Sequence, residues 1–193
     1  MPNDVGQLVS LQRLVASKNR IASLPPSIGQ CQSLTELLLD ENCLTDLTIA
    51  LSALTRLQAL DLSRNQLSSL SLRLASVLRL DLRFNRLSTV PLMDLPQCTD
   101  LFLANNLIRS IDQLPDSLVT LDVSSNQLED IASMDWAKMR QLKRLDVGMN
   151  SLKALPPSLG HLPLTMLNVE GNILRGLPRG STERLLQWLR ERS

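Results

Sequence analysis

The sequence has no tyrosine, two phenylalanines and two tryptophans, so aromatic residues make up only 2% of a chain that is 44% hydrophobic. A core assembled around large aromatic anchors is thereby excluded, and what is buried must be aliphatic, above all leucine. Histidine occurs once, as His161 in Gly160-His161-Leu162-Pro163, with no serine, cysteine or carboxylate pair that spacing would bring to it. That leaves no basis for a nucleophilic triad or a zinc site. An excess of either charge is also missing: 20 basic and 19 acidic residues leave a net +1. No global field therefore points to nucleic acid, a membrane surface or a strongly acidic partner. No apolar run is long enough to span a bilayer, and Met1-Pro2-Asn3-Asp4 lacks the basic and apolar segments of a secretory leader. Cys31, Cys43 and Cys98 are odd in number and scattered, which fits reduced thiols in a cytoplasmic protein. There is no Gly-rich phosphate loop, no CxxC and no HExxH, so neither a cofactor nor a catalytic residue is expected.

What the chain does have is internal repetition. The pattern LxxLxLxxNxLxxL can be laid down eight times between residues 11 and 177, with its asparagine at Asn19, Asn42, Asn65, Asn85, Asn106, Asn126, Asn150 and Asn172. Position four is leucine in every unit, from Leu14 to Leu167, and position six is aliphatic throughout, from Ala16 to Val169. Further aliphatics stand two and five residues after each asparagine, and the only soft slots are Ala16 and Cys98. Units of 20 to 24 residues with this spacing predict a stacked array in which each layer covers its neighbour's apolar ends.

Within a unit, positions four and six point inward along a short strand, and the strands stack as a parallel sheet with ~4.8 Å between them. The aliphatics after the asparagine close the core beneath the sheet, and the rest of the unit returns along the outer side as loops, 3-10 turns or short helices. The asparagine falls where main-chain groups lose their strand partners, and its amide carries the donors and acceptor that can replace them. All eight asparagines are accordingly expected to be structural.

This pattern resembles leucine-rich repeat proteins. Leu24-Pro25-Pro26-Ser27-Ile28-Gly29 and Leu155-Pro156-Pro157-Ser158-Leu159-Gly160 resemble the LPPxIG outer segments of the intracellular Ras-group type, whose members act as cytosolic scaffolds and regulators. Leu114-Pro115-Asp116-Ser117-Leu118, in a short unit, is similar instead to the bacterial effector variety. The resemblance implies an α/β solenoid, a leucine-rich repeat horseshoe with a parallel sheet on its concave face, forming a single domain over residues 1–193. Pro2–Leu8 reads as the second half of an outer segment, so the chain is expected to open inside a unit without a polar cap, as the C-terminal part of a longer array would. At the other end, Gly180-Ser181-Thr182 leads into an amphipathic segment with Leu185, Trp188 and Leu189 on one side, predicting a terminal cap helix over about 181–192.

Function must then come from the concave surface, at positions two, three, five, seven and eight of each unit. Both phenylalanines fall there on adjacent units, Phe84 and Phe102, among Arg64, Arg79, Arg83, Asp81 and Asp100. Aromatic and arginine side chains concentrate binding energy at interfaces, and this patch is the expected partner-binding site. The flanking candidates are Asp61, Asp122, Arg144 and Asp146. Asp61, Asp81, Asp122 and Asp146 share position five, but Phe102 interrupts the column, so a metal site is not expected. The concave face mixes signs and lacks a basic stripe, which argues against nucleic acid. The reading is a monomeric protein-interaction module or scaffold, with no membrane role, that binds another protein in intracellular signalling. The alternative is the substrate-targeting repeat domain of a larger enzyme or effector.

Overall fold

The computed structural model describes residues 1–71, 73–90, 94–178 and 181–192. Each register of the repeat forms a three-residue strand: β1 Arg13–Val15, β2 Glu36–Leu38, β3 Ala59–Asp61, β4 Arg79–Asp81, β5 Asp100–Phe102, β6 Thr120–Asp122, β7 Arg144–Asp146 and β8 Met166–Asn168. They make one parallel eight-stranded sheet in sequence order. The position-four leucines align across all of it, Leu14 against Leu37, Leu37 against Leu60, and on to Leu145 against Leu167. Alternation along the strand sends that leucine into the core and its two neighbours onto the opposite, concave face.

The asparagines join successive layers. Asn65 donates from Nδ2 to the carbonyl oxygens of Leu39 in the preceding layer (2.9 Å) and of Leu62 and Ser63 in its own, while its Oδ1 accepts from Leu44 N–H at 2.9 Å. Asn42, Asn85, Asn106, Asn126, Asn150 and Asn172 repeat that set. Asn19 departs from it: it is exposed and its side chain donates only to Ala16 and Ser17 in its own layer. No described layer precedes the first strand, so nothing presents the N–H and carbonyl that the others bind.

On the outer side, Pro25-Pro26 and Pro156-Pro157 begin the 3-10 turns Pro26–Gln30 and Pro157–His161, where a fixed φ and a missing N–H cost nothing. Further 3-10 turns span Asn3–Gln7, Ile49–Ala53 and Trp136–Lys138. The first of these is the outer segment expected from Pro2–Leu8, and it brings Val5 into the core. The shorter units between them return without such a turn among the described residues. Trp136, unremarked in the sequence reading, is fully buried, and its Nε1–H donates to the Ile131 carbonyl at 2.8 Å. Cys98 fills a leucine slot, and burial pushes its thiol up to about 12, which keeps it in the unreactive protonated form.

The terminal helix α1, Thr182–Arg190, is capped by Ser181, whose hydroxyl accepts from Arg184 N–H. It buries Leu185, Leu186 and Leu189 against the last layer, one leucine more than its amphipathic pattern had promised. Gly180, taken as part of its approach, lies outside the described residues. The helix sits so close to the Pro157–His161 turn that a β-carbon on Gly160 would lie 2.7 Å from Arg190 N and 2.9 Å from Leu186 O. The last residue of the LPPxIG segment is thus glycine because a backbone must pass over it.

Unequal bonding along the asparagine column has a measurable consequence. Asn126→Ala strands Ile108 N–H and Leu103 C=O, and should lower stability by ~1 to 3 kcal/mol. Asn19→Ala should stay within ~0.5 kcal/mol of wild type, like other surface changes. Urea unfolding of both variants checks this, and equal losses would refute the cross-layer role.

Candidate functional site

The concave face carries what the core-facing positions leave free. At its centre the ring of Phe102, on β5, has the Arg79 guanidinium 4.6 Å and the Arg83 guanidinium 5.3 Å from its centroid. On the adjoining rim, Arg64 lies 4.2 Å over Phe84. The two phenylalanines and three arginines singled out in the sequence are therefore assembled into stacked pairs, an arrangement worth ~0.5 to 1 kcal/mol each at exposed sites.

Asp81 belongs to the assembly in a different way. Only 3% exposed, it has no free surface to offer a partner and instead fixes Arg83, which donates from Nε at 3.0 Å to both carboxylate oxygens. That pairing raises the Arg83 pKa above its ordinary value and aims the guanidinium along the sheet at Phe102. Among the described residues, Arg64 and Arg79 have no carboxylate within ion-pair distance. Their N–H groups remain available above the rings on which they stack.

The remaining carboxylates are tied to the backbone. Asp61, Asp122 and Asp146 each accept, through Oδ1, the main-chain N–H two residues on, from Ser63, Ser124 and Gly148 at 2.9 to 3.0 Å. This local cap ends each strand. Burial first, and the nearby charges of Asp81 and Asp40 second, push the Asp61 carboxyl above its ordinary value against the pull of its bonds to Ser63. Asp100 accepts from the Thr99 hydroxyl at 2.8 Å beside Arg79 on β4. Asp146 accepts from Asn168 Nδ2 at 3.1 Å. Arg144 is exposed on β7, three strands from Arg79, and takes no part in the aromatic cluster. Among the described residues no group of three or more His, Cys, Asp or Glu is placed to hold a metal.

One feature of the face was not read from the sequence. The residue just before each asparagine has a left-handed backbone: Lys18, Glu41, Arg64, Phe84, Asn105, Ser125 and Met149 at φ +52° to +57°, and Gly171 at +70°. The turn off the strand demands this conformation in every unit, yet only Asn105 and Gly171 are residue types that adopt it readily. Phe84 and Met149 carry the strain and are 40% and 63% exposed as well.

The repeat model described as "Leucine rich repeat" matches residues 9–67, and a second, "Leucine Rich repeat", matches residues 117–131. The chain has the fold of a leucine-rich repeat solenoid. Solved structures agree. A leucine-rich repeat protein of Leptospira interrogans is 28% identical over 92% of this chain and 53% of its own, with a TM-score of 0.67. YopM from Yersinia enterocolitica is 29% identical over 91% of this chain and 41% of its own, at 0.59. The ectodomain of the Arabidopsis thaliana membrane receptor kinase GASSHO1/SCHENGEN3, solved in complex with CASPARIAN STRIP INTEGRITY FACTOR 2, is 26% identical over 98% of this chain and 24% of its own, at 0.71. The solenoid thus spans about half the Leptospira protein and less of the other two. No curated protein sequence matches it. No described helix is long and apolar enough to cross a membrane.

The strained slot yields a test. Met149→Asn places a side chain that tolerates the left-handed region, as Asn105 already does, and removes an exposed thioether. Stability should rise by ~0.5 to 1 kcal/mol, read as a small increase in melting temperature. A loss of that size would show that Met149 is held for the fold.

Proposed function

We propose that this solenoid is a protein-interaction module that binds a partner protein on its concave face, centred on Phe102. The observation that carries the reading is the cluster of Phe102, Arg79 and Arg83 with Asp81 beneath it: a half-buried ring held by two guanidiniums, one of them locked by a buried carboxylate. Such a preformed aromatic and arginine surface loses little freedom on binding. The general use of this fold for protein recognition supports it, as does the Arabidopsis ectodomain's presence in a complex. In this reading the module works as a monomer, without cofactor, metal or catalytic residue, as a cytoplasmic scaffold or regulator of the Ras-group kind, with nucleic acid and membrane not among its ligands.

A second reading makes the repeats the targeting part of a larger enzyme or effector. It is favoured by the 24% to 53% of the similar structures that the chain spans. The complete reading frame distinguishes the two.

Crosslinking in cell extract from a photoreactive residue at position 102, against the same residue at convex Ile49 as control, identifies the partner. Phe102→Ala should then weaken that partner by ~2 kcal/mol or more with melting little changed. Unchanged affinity would reject the assignment.

A further inference from the structure

Four of the nine large apolar side chains exposed among the described residues fall in two slots of the repeat. Phe84 and Met149 occupy the slot before the asparagine, and Leu107 and Ile173, 46% and 54% exposed, the slot after it. Both slots run as regular columns along one rim of the solenoid, because both are pinned by main-chain bonds between layers. Phe84 N–H donates to Ala104 O and Met149 N–H to Glu170 O, while Leu107 N–H donates to Leu87 O and Ile173 N–H to Leu152 O. Side chains of the first column lean toward the following layer: Arg64 lies over Phe84, and the Met149 sulfur sits where a Gly171 β-carbon would be, 2.3 Å from it. Phe84 is therefore directed to the layer that carries Leu107, and Met149 to the layer that carries Ile173. The rim presents two apolar pairs three layers apart, with polar Ser125 and Gln127 in the layer between.

Arginines border both pairs, most densely the first, while the second also has the exposed Glu170 beside it. Arg64 and Arg86 flank the first pair in the same two columns, and Arg175 follows Ile173 by two residues. Among the described residues none of the three has a carboxylate within ion-pair distance. An exposed apolar strip bordered by these guanidiniums is matched by a ligand that is apolar at two points and acidic where it meets Arg64, Arg86 and Arg175.

Spacing decides the ligand's conformation. Three layers at ~4.8 Å separate the pairs by ~14 Å. In an extended chain, residues i and i+4 lie ~13 to 14 Å apart and share a face. In an α-helix, i+7 reaches ~10.5 Å and i+11 ~16.5 Å, while the residues that reach ~14 Å point away. We infer that the rim formed by Phe84, Leu107, Met149 and Ile173 is a docking strip for an extended acidic segment of a partner protein, with apolar residues at i and i+4 seated on the two pairs. The inference rests on the reading of this chain as a protein-binding module, and extends its footprint from the concave face over the adjoining rim.

The test is selection of phage-displayed random dodecapeptides on the whole chain, followed by binding of the enriched peptides to Leu107→Ser, Ile173→Ser and Phe102→Ala. Both rim substitutions are at exposed sites, and unchanged melting confirms the fold. The strip predicts enriched sequences rich in Asp and Glu with apolar residues four apart, whose affinity falls at least tenfold in each rim variant. Enrichment of basic or unpatterned sequences, absence of enrichment, or binding indifferent to both rim variants would overturn it. Peptides lost on Phe102→Ala alone would reject the strip while leaving the concave-face reading in place. Peptides lost on the rim variants alone would support the strip and count against Phe102 as the centre.

Discussion

A layer of this protein cannot satisfy its own main chain. Where each strand ends, the carbonyls and N–H groups turned into the core have no main-chain partner within the unit, and burying them unpaired would cost ~1 to 3 kcal/mol each. The asparagine amide resolves this by bonding two layers at once, as Asn65 does between the layers of Leu39 and Leu62. Everything else follows from holding layers in that register. The position-four leucines meet in line, the strands extend into one parallel sheet, and the outer segments stack as far as helix α1.

That division of labour leaves a surface free to vary. Core positions are filled mainly by leucine, isoleucine and valine, while strand residues on the concave face range over arginine, aspartate, threonine and phenylalanine. The asparagine register brings arginines from β4 onto the ring from β5. The same regularity imposes a left-handed residue in every unit, and the chain tolerates bulky side chains there, where glycine or asparagine would fit with less strain. The concave face is thus supported by a scaffold that does not depend on its composition.

Much of this was legible in the sequence because a repeat presents each structural demand many times over. The leucine and asparagine columns predicted strand positions, sheet order and core. The proline pairs predicted two outer turns, and Ser181 the start of the last helix. The site was legible as a set of neighbours, since Phe84, Phe102 and their arginines sit on adjacent units. Hidden features depended on side-chain reach or backbone angle. Nothing in an Asp-Leu-Arg sequence says that Asp81 is buried beneath Arg83 whereas Asp61, on the adjacent strand, is only partly buried. The left-handed slot was disguised because most of its occupants are residue types that avoid it. Asn19 looked like its seven equivalents because its missing partner lies in a neighbouring layer, not in its own unit.

Native-state hydrogen exchange tests the central claim most directly. The amides that donate to asparagine side chains, Leu44, Leu67, Leu87 and Leu128 among them, lie in irregular segments that would ordinarily exchange through local fluctuation. If asparagine bonding holds the layers together, they should exchange only with global or whole-layer unfolding, as slowly as the strand amides. Exchange at the rate of the exposed outer loops would contradict the account.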